Sequence, residues 1–343
     1  MPFPMNSASR FFSKKTMVLL AAAIVLLILA IRVIPKFLYR DTLPPSYKLT
    51  VFLTADVESP SRVGSWHPFQ TTSFVTGKGI AEEPGVGLIM SLQEKHHLRG
   101  NYFLDVYEAQ LYDDKDLMKH VAQDIVKRGH ELDLHCHAEK FADRRSLVQY
   151  SPEGQLALLQ YGENLVYQWT GQHSHAFRAG AYLLNDATMD AVHKMGIPLD
   201  TSVFHGNRRN LFSREFTHNA IATYHGVVEL PITTVQEPAR GEKFDIDRMK
   251  LAELLDVIHQ AEAARAQKVV FMMHSFSLIK FSLSKRGEPL VPDDEKINRY
   301  DRFLDALASD PHVKVETFGQ WYAEHKNDPD FAHQEAEFLP RLP

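Results

Sequence analysis

From Lys48 onward the chain alternates short apolar runs with stretches whose apolar positions recur at helical spacing. The apolar runs are of strand length and fall at 48–53 (KLTVFL), 100–106, 131–136, 176–179, 199–203, 227–235, 268–274 and 313–317. Helical spacing covers 85–96, 116–128, 152–170, 186–195, 247–266, 294–308 and 318–325. Three of these helices are followed by glycine, at Gly129, Gly171 and Gly196. Glycine takes the left-handed conformation that closes a helix at little cost. Strands separated by single helices imply a parallel sheet covered on both faces. Seven or eight such units predict a distorted (β/α)7-8 barrel over residues 48–325, followed by a tail at 326–343. In such a barrel the chemistry collects where strands end and loops begin.

A different pattern precedes Lys48. Met17 to Ile31 reads MVLLAAAIVLLILAI without a charge, and Val33 and Ile34 extend it. The run has roughly the length needed to cross a bilayer. No small-x-small cleavage site follows it, so a single-pass transmembrane anchor over 16–34 is expected in preference to a cleaved signal peptide. Residues 1–15 form a short tail and 35–47 a linker. Basic residues flank the span on both sides, so the positive-inside rule is nearly balanced. A short tail before a first span ordinarily stays in the cytoplasm, which puts the catalytic domain on the other side.

The remaining composition mainly excludes. Of the 343 residues 44% are hydrophobic and 24% charged, with a formal net charge of -5. There is no basic stripe with interleaved aromatics, so nucleic acid is not an expected partner. The single cysteine, Cys136, rules out an internal disulfide and a cysteine-based zinc site.

The chemistry-bearing stretch is Gly129-His130-Glu131-Leu132-Asp133-Leu134-His135-Cys136-His137. Its period of two puts Asp133, His135 and His137 on one strand face. Two imidazoles on one face suit a divalent metal. Other strands also end in ionisable groups. The first ends in Thr54-Ala55-Asp56-Val57-Glu58, with its two acids pointing the same way, and the fourth in Arg178-Ala179-Gly180-Ala181-Tyr182. The fifth carries Asp200-Thr201-Ser202, and the seventh ends in His274-Ser275.

In order and spacing these motifs resemble the polysaccharide deacetylase family, the NodB-homology carbohydrate esterases, from about Lys48 to Thr317. Two departures stand out. The second histidine, His137, lies two rather than four residues after His135, where Glu139 stands at the usual position. The second acid, Glu58, lies one residue beyond the family's usual place. The resemblance implies a metal, most readily Zn²⁺, held by Glu58, His135 and His137, with Glu139 as an alternative third ligand. It implies Asp56 as general base and His274 as general acid. Arg178 would orient the base, Asp200 would orient or tune a partner, and Tyr182 would offer its backbone N–H to an oxyanion. The implied activity is removal of acetyl groups, N-acetyl first, from a cell-envelope glycan or its lipid-linked precursor. With the anchor, this places the protein in a bacterial inner membrane with a periplasmic domain. A glycan-binding subunit and a hydrolase of non-sugar C–N bonds remain the alternatives. The loop with Trp66, His67 and Phe69, and the basic stretch 204–224, are expected rims for the substrate.

Overall fold

The computed structural model describes residues 43–60, 71–111, 115–140, 146–205, 207, 219–236, 241–281, 289–328, 331 and 339–341. Two compact units are distinguished, Met1–Tyr47 and Lys48–Pro343. The candidate site lies in the second.

The strands are β1 (Leu49–Val57), β2 (Asn101–Asp105), β3 (Glu131–Cys136), β4 (Ala176–Ala179), β5 (Leu199–Asp200), β6 (Ala222–Tyr224), β7 (Val227–Glu229), β8 (Thr234–Gln236), β9 (Gly241–Lys243), β10 (Lys268–His274), β11 (Ile279–Lys280), β12 (Val291–Pro292) and β13 (Val313–Val315). Nine of them form one sheet in the order β10-β1-β2-β3-β4-β5-β7-β6, with β13 beside the first half of β1. All pairings in it are parallel except β6 with β7. The longer helices are α1 (Val86–Lys95), α2 (Lys115–Lys127), α3 (Pro152–Thr170), α4 (Asp186–Lys194), α5 (Leu251–Ala263), α6 (Asp294–Ser309) and α7 (Phe318–His325).

The sequence explains the centre of this sheet. Every residue of β1, LTVFLTADV, is buried, as expected of a parallel strand covered on both faces. The α3 helix starts at Ser151, whose side chain accepts from Gly154 N, and ends at Gly171 with φ 72. Phe52, Phe103, Val270 and Met272 share one core cluster with Phe318 and Trp321 of α7. That packing ties the closing helix to the central strands.

Two expectations need correction. The first is a barrel of seven or eight regular units. The described sheet is open, a half-barrel, since its terminal strands β10 and β6 do not pair with each other. Irregular backbone spans the gap instead: Ile232 N donates to Val203 O, Thr233 N to Val270 O and Met272 N to Phe244 O. The reason is local. Pro231 has no N–H to give to a ladder. Beyond Asp200, the Asp200 and Ser202 side chains bond to nearby backbone N–H groups, so β5 stops after two residues. The expected strand at 227–235 therefore breaks into β7 and β8.

The second correction concerns the membrane. No helix among the described residues is long and apolar enough to cross a bilayer. The anchor expected at 16–34 lies outside the described residues, as does the tail at 1–15. The single-pass inner-membrane location and the periplasmic orientation both presuppose that the apolar run spans a bilayer. A run of that length is a condition for spanning rather than proof of a spanning helix, and this assignment is withdrawn.

Candidate metal and active site

Strand register assembles the site. Asp56 at the end of β1 pairs with His274 at the end of β10. His135 near the end of β3 pairs with Asp105 of β2 on one side and Arg178 of β4 on the other. Parallel pairing thus carries five strand ends to one rim. Ser275 extends the β1–β10 seam past the strands: its N–H donates to Asp56 O and its hydroxyl to Glu58 O.

Glu58, His135 and His137 each offer one donor atom, and these atoms lie within 4.8 Å of one another. All three residues are buried. His137 Nε2 is 2.9 Å from Glu58 Oε2, and His135 Nε2 is 3.9 Å from the same oxygen. His135 Nδ1 donates to the Arg178 carbonyl oxygen at 2.8 Å, which fixes its tautomer because a carbonyl can only accept. Its Nε2 is then a lone-pair donor, and it has no hydrogen-bond partner among the described residues. Burial pushes the His135 imidazole down to about 4, so it is neutral near pH 7. His137 Nδ1 donates to Glu139 Oε1 at 2.6 Å. Burial disfavours charge on His137 as well, but the Glu58 carboxylate prevails and raises it to about 10. A proton between Glu58 and His137 therefore sits where a cation would be shared. The donor set fits a divalent metal: a neutral imidazole with an orphaned nitrogen, a second imidazole backed by a carboxylate, and a buried acid. Glu139 stands behind His137 and is not part of the three-donor group.

The Arg178 side chain is fully buried and lies 4.1 Å above the Phe103 ring centre. Its Nη1 donates to Asp56 Oδ1 at 2.6 Å, its Nη2 to Thr54 Oγ1 at 3.1 Å and its Nε to Thr201 O at 3.1 Å. Burial alone would raise the Asp56 carboxyl. Arg178, with His135 and His274, overcomes it and holds the group below the usual carboxylate range. Glu58 is held well below its usual range against the same burial by His137 and Lys140.

The His274 ring lies between two acids, with Nε2 3.8 Å from Glu58 Oε1 and Nδ1 3.9 Å from Asp247 Oδ2. Burial disfavours its charge, yet Asp247, then Asp56 and Glu58, raise it above the ordinary imidazole value.

The remaining expected residues take up supporting positions. Asp200 accepts from the Ser202 hydroxyl and backbone N–H, and Ser202 Oγ accepts from Ala179 N. Asp200 therefore acts on the backbone after Arg178 and does not touch the three-donor group. Tyr182 closes a turn in which Ala181 and Tyr182 have φ 50 and 58, a conformation unfavourable for L side chains. Its hydroxyl accepts from Lys243 Nζ at 2.9 Å. Gly180 opens this turn, and a Cβ there would lie 2.7 Å from the His137 ring. Trp66, His67, Phe69, Arg208, Arg209, Arg214 and His218 lie outside the described residues.

Sequence reasoning did not find Asp247, Lys140, Asp105 or Glu108. Lys140 Nζ reaches Glu58 Oε2 at 2.8 Å and Asp105 Oδ2 at 3.1 Å. Asp247 follows a segment that bridges to β10 without forming a named strand, so no periodicity marked it.

No family model matches the chain. No curated protein matches it either. Solved structures do match. A Mycobacterium smegmatis protein assigned as a polysaccharide deacetylase aligns with TM-score 0.56 at 17% identity, over 88% of this chain and 95% of that one. A 4-alpha-glucanotransferase from Thermococcus litoralis aligns with TM-score 0.51 at 11% identity, over 87% of this chain and 42% of that one. A peptidoglycan deacetylase from Bacillus subtilis gives TM-score 0.39 at 11% identity, over 84% of this chain and 96% of that one. The fold is that of the Mycobacterium smegmatis polysaccharide deacetylase structure. A glucanotransferase shares it, so the reaction has to be argued from side chains.

Proposed function

We propose that residues 48–325 form a metal-dependent hydrolase that removes acetyl groups, most readily N-acetyl, from an acetylated glycan. The observation that supports this reading is the meeting of five side chains at one end of the sheet. They are the three-donor group Glu58, His135 and His137, the ionised carboxylate Asp56 and the imidazole His274.

Glu58, His135 and His137 would hold the ion, and the nitrogen and oxygen donors suit Zn²⁺. When bound, such an ion polarises the acyl oxygen and lowers the pKa of a water. Asp56 accepts a proton from the attacking water, with Arg178 keeping its carboxylate ionised and oriented. His274 delivers a proton to the departing nitrogen or oxygen, and the acids around it, Asp247 first, favour its protonated form. Tyr182 offers its backbone N–H to the charge that develops on the acyl oxygen. Asp200 holds the backbone after Arg178 through Ser202.

The test is acetate release from N- and O-acetylated glycans by zinc-loaded protein, with and without a chelator. Release that stops on chelation and returns with zinc is expected. A fully zinc-loaded protein that releases no acetate from either class removes this reading.

A further inference from the structure

Glu58 belongs to a second group of donors. One carboxylate oxygen from each of Glu58, Asp105 and Glu108 lies within 4.8 Å of the others, and all three residues are buried. Glu108 Oε2 makes no hydrogen bond among the described residues. Asp105 Oδ2 makes none either, and its close neighbour is an ammonium. Burial pushes the Asp105 carboxyl up to about 7 and raises Glu108 as well, against the pull of the Lys140 ammonium, and buried, oxygen-rich surroundings of this kind suit a divalent cation.

Lys140 supplies the positive charge there. Its Nζ lies 2.8 Å from Glu58 Oε2, 2.5 Å from Glu108 Oε1 and 3.1 Å from Asp105 Oδ2, and it donates to Ser59 O at 3.1 Å. Four oxygens thus surround one nitrogen in a pocket where Lys140 is itself 3% exposed. The local chain explains the placement. A short 3₁₀ turn, Ala138–Lys140, follows His137, and Lys140 N donates to His137 O. One turn therefore positions both an imidazole of the first donor group and the ammonium of the second. Ser59 N and Oγ also donate to Glu108 Oε1, which ties this acid to the residue after Glu58.

We propose that Lys140 is a built-in cation. It occupies a second cation position that shares Glu58 with the first, limits the centre to one divalent ion, and holds the Glu58 carboxylate beside the two histidines. This inference rests on the reading of Glu58, His135 and His137 as metal ligands. Lys140 is then a positioning residue, and its removal changes how many ions bind rather than only how well the chain folds. Three buried carboxyl groups left without their ammonium would offer their oxygens to a divalent ion in the vacated space, its charge replacing that of the lysine.

The experiment counts metal. Full-length protein is stripped with a chelator, loaded with zinc, desalted, and the zinc per chain is measured by mass spectrometry. One ion is expected for the wild type, two for Lys140→Ala, and one for Lys140→Arg, which keeps a cation in place. Two ions in the wild type would overturn the inference, as would one ion of unchanged affinity in Lys140→Ala. If Lys140→Ala does not fold alone, its melting is followed with and without zinc. Restoration of a cooperative melt by zinc supports the inference, and a melt indifferent to zinc overturns it. A wild type that binds no zinc removes the metal reading of the first group. Lys140→Ala then decides separately: one ion supports the lysine as a cation in place, and none overturns that too.

Discussion

His274 Nδ1 lies 3.9 Å from Asp247 Oδ2, while the opposite ring nitrogen faces Glu58 Oε1 at 3.8 Å. The imidazole therefore spans from the three-donor group to an acid that is itself anchored. Asp247 accepts from Ser277 Oγ at 2.7 Å and from Lys296 Nζ at 2.8 Å. Those bonds keep its charge in place, and that charge favours the protonated ring.

A pH effect with a definite sign follows. His274 has a raised pKa, so its acid form is present at low pH and is lost as pH rises through that raised value. Turnover that needs this acid should fall along the same basic limb. Replacing Asp247 with Asn removes the second-largest influence on the ring, after burial. The basic limb of the kcat profile should then move to lower pH, with kcat at neutral pH reduced and KM little changed. An unmoved limb in the Asp247→Asn profile would separate Asp247 from the chemistry.

The metal reading assigns different outcomes to neighbouring histidines. His135→Ala should lose bound zinc, because it removes the nitrogen left without a partner. His137→Ala should weaken zinc binding strongly. Glu139→Gln should weaken it by about 10- to 100-fold, the usual effect of altering a carboxylate that orients a ligating histidine. His130→Ala should leave zinc untouched, since His130 Nδ1 accepts from Gly100 N and Nε2 faces Glu94 at 3.1 Å. Its cost should appear only in stability, at about 1–3 kcal/mol for a buried donor left unpaired. Zinc stoichiometry and thermal melts on the four variants check the set. Full zinc retention in His137→Ala with loss in Glu139→Gln would move the third ligand to Glu139.

Hydrolysis and mere binding separate at Asp56 and His274. Asp56→Asn and His274→Ala should each fold and hold zinc while losing about 10²- to 10⁴-fold in turnover. Both are expected to retain glycan binding, read by titration of an acetylated oligosaccharide against acetate release. Equal glycan affinity in wild type and variants, with no acetate released by any of them, would instead favour a binding subunit.

The convergence of the candidate residues was readable in part because parallel strands deliver their last residues to one rim. Asp56, His135, Arg178 and His274 are strand-end residues in register, and a period-two reading of each run points to them. Asp247 and Lys140 reach the site by another route. Asp247 comes from irregular backbone bonded to β10, and Lys140 from a single 3₁₀ turn. Neither segment has a period to detect. The same cause explains the open sheet. The wall near Pro231 is built from single hydrogen bonds that no apolar run encodes. Asp200 was marked by its strand, but its partners, Ser202 and through it the Ala179 N–H, turned it away from the three-donor group.

A close packing constraint on the site comes from a residue with no side chain. A Cβ at Gly180 would lie 2.5 Å from Cys136 O and 2.7 Å from His137 Cγ. The first is backbone of β3 and the second is a ring held by Glu58 and Glu139, so neither can yield cheaply. The φ values of Ala181 and Tyr182 already strain the turn, leaving little room for the loop to retreat. Gly180→Ala is therefore expected to displace His137. Overpacking of this kind typically costs about 1–3 kcal/mol. The measurement is paired: thermal melting reports the strain, and zinc titration reports the ring. Stability should fall and zinc affinity should fall with it, while Gly171→Ala, a helix-end glycine with nothing within 4 Å of its added Cβ, should lower stability alone. If Gly180→Ala melted lower yet bound zinc as the wild type does, the turn would have moved instead of the ring, and His137 would be held more firmly than its contacts imply.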